Sequence, residues 1–297
     1  MEKINNCPVC ENTEFLDYMI CTDFFLTKEK FNLVKCNKCD FIFINPRPEN
    51  YKLGQYYNSP DYISHSGTEK GIINKIYKIV RQHTHNKKYK LINSFSKKKN
   101  VLDIGCASGE LLSLFKKNNW KTLGLEPNEE ARNFAKNQYN IDVIDEVQIS
   151  TLHNDSFDNI TLWHVLEHVP DLNTRIKELK RILTPEGFLF VAVPHCDSFD
   201  AGYYKEYWAA YDVPRHLYHF TPITLEKIFN KHGFSIVKKL PMKFDSYYVS
   251  MLSEKYKTGK QSIIKGFITG YLSNKKAKSK KYSYSSQIYV LKKDNAF

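Results

Sequence analysis

From Asn100 onward, strand-like apolar runs alternate with helix-like amphipathic runs, and this alternation limits the possible folds more than any other feature. VLDIG is followed by GELLSLFKKN, and KTLGLE by NEEARNFAKNQ. IDVID and FDNITLWHV come next, then the helical LNTRIKELKRIL and the strand GFLFVAV. TLEKIFNKHG carries a glycine at its helical C-terminus, and FSIVKKLPM and SSQIYVLKK close the series. Alternating units of this kind predict an α/β fold, a parallel sheet with helices on both faces. Ligands then bind beyond the carboxyl ends of the central strands. The 297 residues exceed one typical domain and suit a large domain plus a smaller one. No apolar run approaches the ~18 residues of a membrane span, and MEKINNCPVC lacks the apolar core of a secretory signal. The expected location is therefore cytoplasmic.

The first of these strands runs into Asp103-Ile-Gly105-Cys106-Ala107-Ser108-Gly109. Small residues there let the backbone come close to a ligand. Seventeen residues past Gly109, the second strand ends in Glu126-Pro127. An acid at that place accepts hydrogen bonds from both ribose hydroxyls of a nucleotide-like cofactor. The turn departs from the dinucleotide pattern G-x-G-x-x-G, and Asp103 would repel a pyrophosphate. A cationic sulfonium amino acid suits it better. The expected cofactor is S-adenosylmethionine rather than NAD.

Four of the seven cysteines form two pairs, Cys7-Pro-Val-Cys10 and Cys36-Asn-Lys-Cys39. Two Cys-x-x-Cys turns complete a tetrahedral zinc site with no open position, so the expected metal is structural Zn2+. Cys21, Cys106 and Cys196 read as small buried residues. The module ends in a strand-like FIFINPRPEN and a tyrosine-rich connector. The predicted division is 1–69 for zinc ribbon and connector, 70–99 for a basic linking helix, and 100–297 for the α/β domain.

The formal charge of +12 is not spread evenly. Residues 70–99 hold ten Lys/Arg and no acid, and 254–281 hold nine Lys and one Glu. The remainder is mildly acidic, which weakens a nucleic-acid reading. Both basic segments carry helical apolar spacing. Packing on the domain is the expectation for 70–99. For 254–281, packing and docking on an anionic membrane stay open, the latter placing the protein at the inner face of a membrane.

VLDIGCASGELL, LGLEP, SFDNITLWHVLEHVPDL, LKRILTPEGFLFVAVPH and HGFSIV together resemble the class I S-adenosylmethionine-dependent methyltransferases, over about 100–240. DVPRHLYHFTPITLEKIF looks like the branch found in bacterial surface-polysaccharide and secondary-metabolite pathways. The zinc ribbon extends the likeness to deoxysugar C-methyltransferases. The resemblance implies a Rossmann-like sheet of order 3-2-1-4-5-7-6, with strand seven antiparallel and an insertion at about 245–282. It implies that Asp103, Gly105, Cys106 and Gly109 hold the methionine part of the cofactor, Glu126 the ribose, and Pro127 and Asp145 the adenine. Trp163 and His164 fall beside the transferred methyl.

Methyl transfer to a hydroxyl or acidic C–H needs a group that takes a proton, and histidine suits that near neutral pH. His164-Val-Leu-Glu167-His168 matches a metalloprotease string, but it straddles a strand end and not a helix. The resemblance places His168, Tyr211 and His216 at substrate-site positions. The family's Glu before His216 is Arg215 here, which points to a phosphate or carboxylate on the acceptor. Tyr57 and Tyr62 are further candidates. Residues 199–220 hold ten aromatic or histidine residues and read as a lid over the methyl-transfer site, a satellite core, or both. The expected acceptor is a small molecule, a nucleotide- or lipid-linked sugar. A quinone-like acceptor, RNA and a non-catalytic cofactor-fold module are the alternatives. No Asn/Asp-Pro-Pro-Tyr string for base methylation follows the fourth strand, and Gly105, Gly109 and Glu126 argue against the non-catalytic module.

Overall fold

The computed structural model describes residues 1–57, 72–260 and 262–294, with the backbone alone over 72–79. Most of the tyrosine-rich connector, Tyr62 included, lies outside the described residues. The strands are β1 (Phe15–Thr22), β2 (Lys30–Cys36), β3 (Ile42–Ile44), β4 (Asn100–Ile104), β5 (Lys121–Leu125) and β6 (Val143–Ile144). They continue as β7 (Phe157–Trp163), β8 (Leu183–Pro194), β9 (Tyr218–His219), β10 (Phe234–Pro241) and β11 (Ser286–Lys293).

Seven strands form one mixed sheet, ordered β6-β5-β4-β7-β8-β11-β10. Numbered from Asn100 without β9, this is the expected 3-2-1-4-5-7-6. β4 pairs in parallel with β5 and β7, and β5 with β6. Val101, Leu102 and Ile104 are fully buried, as a central strand covered on both faces requires.

The chain divides into two compact units. One takes in β1–β3, Leu166–Asn173 and Ala192–Tyr289; the other takes in helix Ile72–Phe95, β4–β7 and Thr174–Val191.

In the first unit, an antiparallel sheet runs β1-β2-β3-β9. Its edge strand β9 comes from the aromatic segment 199–220 and pairs Ile42 with His219 and Phe43 with Tyr218. That segment also supplies Tyr204, Trp208, Tyr211 and Val213 to a core with Phe31, Leu33, Ile42 and Ile44. Burial of such side chains contributes about 1.5–3 kcal/mol each. The aromatic residues thus serve as core.

In the second unit, helix Ile72–Phe95 packs its described apolar side. Ile92 is fully buried, the Tyr89 ring lies 5.2 Å from Phe115, and Phe95 meets Phe188 at 5.3 Å. Arg81 pairs with Glu110. This is the packing expected for the first basic segment.

The second basic segment is not one helix. It comprises the end of helix Lys243–Thr258, a break at Gly259 with φ +71°, and all of helix Ile263–Lys278. The pair lies between β10 and β11 in the chain.

Candidate active site

The carboxyl end of β4 leads into a turn built from glycine. Gly105 and Gly109 have φ of +68° and +75°, which L side chains rarely adopt. A Cβ on Gly105 would meet Val165 Cγ2 at 2.5 Å, and one on Gly109 would meet Ala135 Cβ at 2.8 Å. Gly109 also caps helix Glu110–Lys117, so the turn ends on the N-terminal amides of that helix.

Two carboxylates flank this turn. Asp103 is buried and accepts a hydrogen bond from the Thr161 hydroxyl. Burial pushes its pKa up to about 6, against the opposing pull of Thr161 and Lys88. Glu126 accepts the Ala107 N–H on Oε2 at 2.9 Å and the Asn128 N–H on Oε1 at 3.0 Å. Burial raises its pKa while those amides lower it. An ionised carboxylate offers about four lone-pair positions, so two remain for a pair of hydroxyls. A glycine cradle, a buried acid for a cation and an acid with two open acceptor positions fit S-adenosylmethionine.

The other cofactor candidates are placed as follows. Cys106 is buried, and burial drives its thiol pKa far up, so it acts as a packed small residue. The Pro127 carbonyl accepts from Arg132 at 2.7 Å. Asp145 caps the turn Glu146–Thr151 by accepting the Val147 N–H at 3.0 Å, and it pairs with Arg132 at 3.1 Å. Trp163 ends β7 with the Lys88 ammonium 4.2 Å from its ring centroid. His164 follows at φ +58°.

The first unit holds a second cluster. The Tyr57 hydroxyl lies 2.9 Å from His168 Nδ1, and the His168 and His216 rings meet edge to face at 4.5 Å. His168 is held neutral: burial and the nearby His216 lower its pKa to about 4. His216 Nδ1 lies 2.8 Å from the Ala210 carbonyl oxygen. A carbonyl only accepts, so Nδ1 carries a proton and donates, and Nε2 is the one ring position left to accept a proton. Glu167 Oε1 and Asp212 Oδ2 each lie 4.0 Å from that Nε2. Glu167 is fully buried. The arrangement is a base with its tautomer fixed on one side and negative charge on the other.

The side chains of Tyr211 and Arg215 do not join this cluster. Tyr211 is buried against Trp208 and His219, both at 5.1 Å, and burial drives its hydroxyl pKa far up. Arg215 is 1% exposed. Its guanidinium donates to Asp212 at 2.7 Å, to Asp23 at 2.8 Å and to the Tyr56 carbonyl at 3.0 Å. The expected acceptor phosphate is replaced by internal carboxylates, because the cation is buried and its donors are engaged. The sequence reading also missed the orienting Ala210 carbonyl and the flanking role of Glu167. A backbone carbonyl leaves no sequence signal, and Glu167 was visible only as part of a protease-like string.

All seven cysteines are unbridged. Cys7, Cys10, Cys36 and Cys39 bring their sulfurs within 4.8 Å of one another, with Cys7–Cys39 and Cys10–Cys36 at 3.5 Å. Four Zn–S bonds of ≈ 2.3 Å place tetrahedral sulfurs about 3.8 Å apart. The donor set and spacing fit one tetrahedral ion.

The sheet order, the glycine turn after β4 and the acid after β5 are those of a class I S-adenosylmethionine-dependent methyltransferase. The methyltransferase domain family matches residues 80–239, more than half of the chain, and the chain belongs to that family. It is 36% identical over 100 residues to a ubiquinone biosynthesis O-methyltransferase of Coxiella burnetii, covering 32% of this chain and 43% of that protein. It is 39% identical over 103 residues to the protein of that name from Actinobacillus pleuropneumoniae, covering 31% and 44%. The chain thus spans less than half the length of these relatives. A SAM-dependent methyltransferase from Archaeoglobus fulgidus shares the fold with a TM-score of 0.51 at 19% identity, over 72% of this chain and 94% of that one. A putative sarcosine dimethylglycine methyltransferase from Galdieria sulphuraria does so with a TM-score of 0.52 at 10% identity, over 74% and 88%.

Proposed function

We propose that this methyltransferase acts on a hydroxyl or acidic C–H of a nucleotide- or lipid-linked sugar, with His216 taking the departing proton. The observation that carries this is the His216 geometry: Nδ1 committed to the Ala210 carbonyl, and Nε2 facing two carboxylates at 4.0 Å. S-adenosylmethionine, when bound, supplies an electrophilic methyl on a sulfonium. Asp103 and the Gly105–Gly109 turn would hold its amino-acid end, Glu126 its ribose, Pro127 and Asp145 its adenine, and Trp163 and His164 would lie on the side of the methyl. Proton uptake makes His216 an imidazolium, which Glu167 and Asp212 stabilise. His168, kept neutral, orients the Tyr57 hydroxyl. Arg215 supports this cluster by fixing Asp212.

A quinol acceptor is the second reading, favoured by the names of the partial relatives. The discriminating experiment supplies methyl-labelled S-adenosylmethionine with nucleotide-sugars, lipid-linked sugars, a demethylated quinol and total RNA in parallel. Label in a sugar is expected. Label in the quinol alone selects the second reading, and label in RNA alone overturns both.

We also propose that the four cysteines hold one structural Zn2+ and that 1–69 acts as a zinc-ribbon module. Elemental analysis is expected to give about one zinc per chain. Cys36→Ser should lose the metal and loosen β1–β3, read as faster amide exchange there with the β4–β7 amides unchanged. Unchanged exchange in the metal-free variant would sink the assignment.

A further inference from the structure

The helical pair inserted between β10 and β11 is packed in an unusual sense. Helix Ile263–Lys278 buries Gly266, Thr269, Gly270, Ser273 and Ala277. Helix Lys243–Thr258 buries Ser246, Ser250, Ser253 and Glu254. The backbones come so close that a Cβ on Gly266 would meet Met251 Cα at 2.5 Å, and one on Gly270 would meet Tyr247 Cα at 2.8 Å. Hydrogen bonds complete the contact: Ser246 Oγ donates to the Gly270 carbonyl at 3.1 Å, and Asn274 donates to Ser246 Oγ at 2.8 Å. Ser273 donates to buried Asp200 at 2.7 Å. Small residues and hydrogen bonds therefore hold the pair together.

The large apolar side chains face outward. Ile263, Ile264, Phe267, Ile268 and Tyr271 are each more than half exposed. At 3.6 residues per turn they and Leu272 cover about half of the helix circumference, opposite the small-residue stripe. Phe267 stacks on Tyr247 at 4.7 Å, which joins the patch to the face of the partner helix that carries half-exposed Phe244 and Tyr248. A contiguous exposed apolar face of this kind marks an interaction surface.

Charge identifies the occupant. Nine lysines lie between 254 and 281, and the one acid, Glu254, is buried and accepts a hydrogen bond from Tyr204 at 3.1 Å. Lys275, Lys276 and Lys278 crowd the last turn of the apolar helix. A second copy on this face would oppose lysine with lysine. An anionic bilayer satisfies both properties: apolar side chains enter the acyl boundary, and ammonium groups meet lipid phosphates. No described helix is long and apolar enough to cross a membrane, so the contact lies on the surface.

We infer that the helical pair docks this enzyme on anionic lipid bilayers through the Ile263–Leu272 face, with the flanking lysines setting the preference for negative headgroups. Vesicle sedimentation tests this without reading turnover, so it stands apart from the acceptor assignment. The full chain should partition at least about ten-fold better onto vesicles with one third phosphatidylglycerol than onto pure phosphatidylcholine. Ile264→Ser/Phe267→Ser/Ile268→Ser should weaken that partition about 100-fold. Circular dichroism and S-adenosylmethionine binding should stay unchanged, since these side chains face outward. Equal partition of variant and wild type would overturn the inference, as would no wild-type binding to the anionic vesicles. A concentration-dependent dimer that the variant abolishes, without lipid binding, would assign the face to self-association and overturn it as well.

Discussion

Arg215→Ala should lower the free energy of unfolding by about 3–5 kcal/mol, measured by urea titration at pH 7. The magnitude comes from what the arginine would leave behind. Asp23 is 0% exposed, and its carboxylate also accepts the backbone N–H groups of Phe25, Leu26 and Thr27. Burial alone would raise the Asp23 pKa, but hydrogen bonding to Arg215 and the Thr27 amide outweighs it and holds the carboxyl below its ordinary value of 3.8. The pair therefore stabilises the fold fully at neutral pH. A carboxyl with a depressed folded-state pKa loses that contribution as pH falls below the ordinary value. The Arg215→Ala penalty should accordingly shrink in acid. Arg215→Lys keeps the charge but not the planar fork that reaches Asp212, Asp23 and the Tyr56 carbonyl together, so an intermediate loss is expected. A loss under 1 kcal/mol for Arg215→Ala would mean that the pair is solvated in solution.

The pairing explains why this part of the site was illegible in the sequence. Asp23 and Arg215 are 192 positions apart, and neither belongs to a periodic pattern. An arginine beside His216 therefore looked available to an acceptor. Tyr57 and His168, 111 positions apart, met the same obstacle, since no local pattern shows that they touch. Strand β9 is two residues long, too short for any alternation to show, yet it carries the aromatic segment into the N-terminal sheet. The glycine turn after β4 was legible for the opposite reason. A tight approach to a ligand forces small residues at fixed local spacing, and an acid at the next strand end needs no long-range information. The seven-strand order likewise followed from local alternation joined to a family resemblance.

Helix Ile263–Lys278 lies between these cases. Its apolar periodicity was visible, and periodicity locates an apolar face without saying whether that face is covered. The informative signal was the second stripe, Gly266, Gly270 and Ser273 at four- and three-residue spacing. Residues without bulk permit backbone contact, and that contact turned the apolar face outward.

His216→Ala should cut turnover by about 10²–10⁴-fold while leaving S-adenosylmethionine affinity unchanged by calorimetry. Affinity should hold because the residues proposed to carry the cofactor, Asp103, Gly105, Gly109 and Glu126, belong to the other compact unit. Alanine alone does not separate chemistry from loop order, since it also deletes the bond to the Ala210 carbonyl. His216→Asn does. Its side-chain amide occupies the place of Nδ1 and donates to Ala210, but nothing replaces Nε2. If the imidazole accepts the substrate proton, the Asn variant is as slow as the Ala variant. Glu167→Gln should then slow turnover by about ten-fold with His216 present, because it removes one carboxylate 4.0 Å from Nε2. In the Asn background the same change should add little, because no imidazolium forms for Glu167 to stabilise. Near-normal turnover in His216→Asn would instead reduce His216 to a clasp on the Ala210 loop.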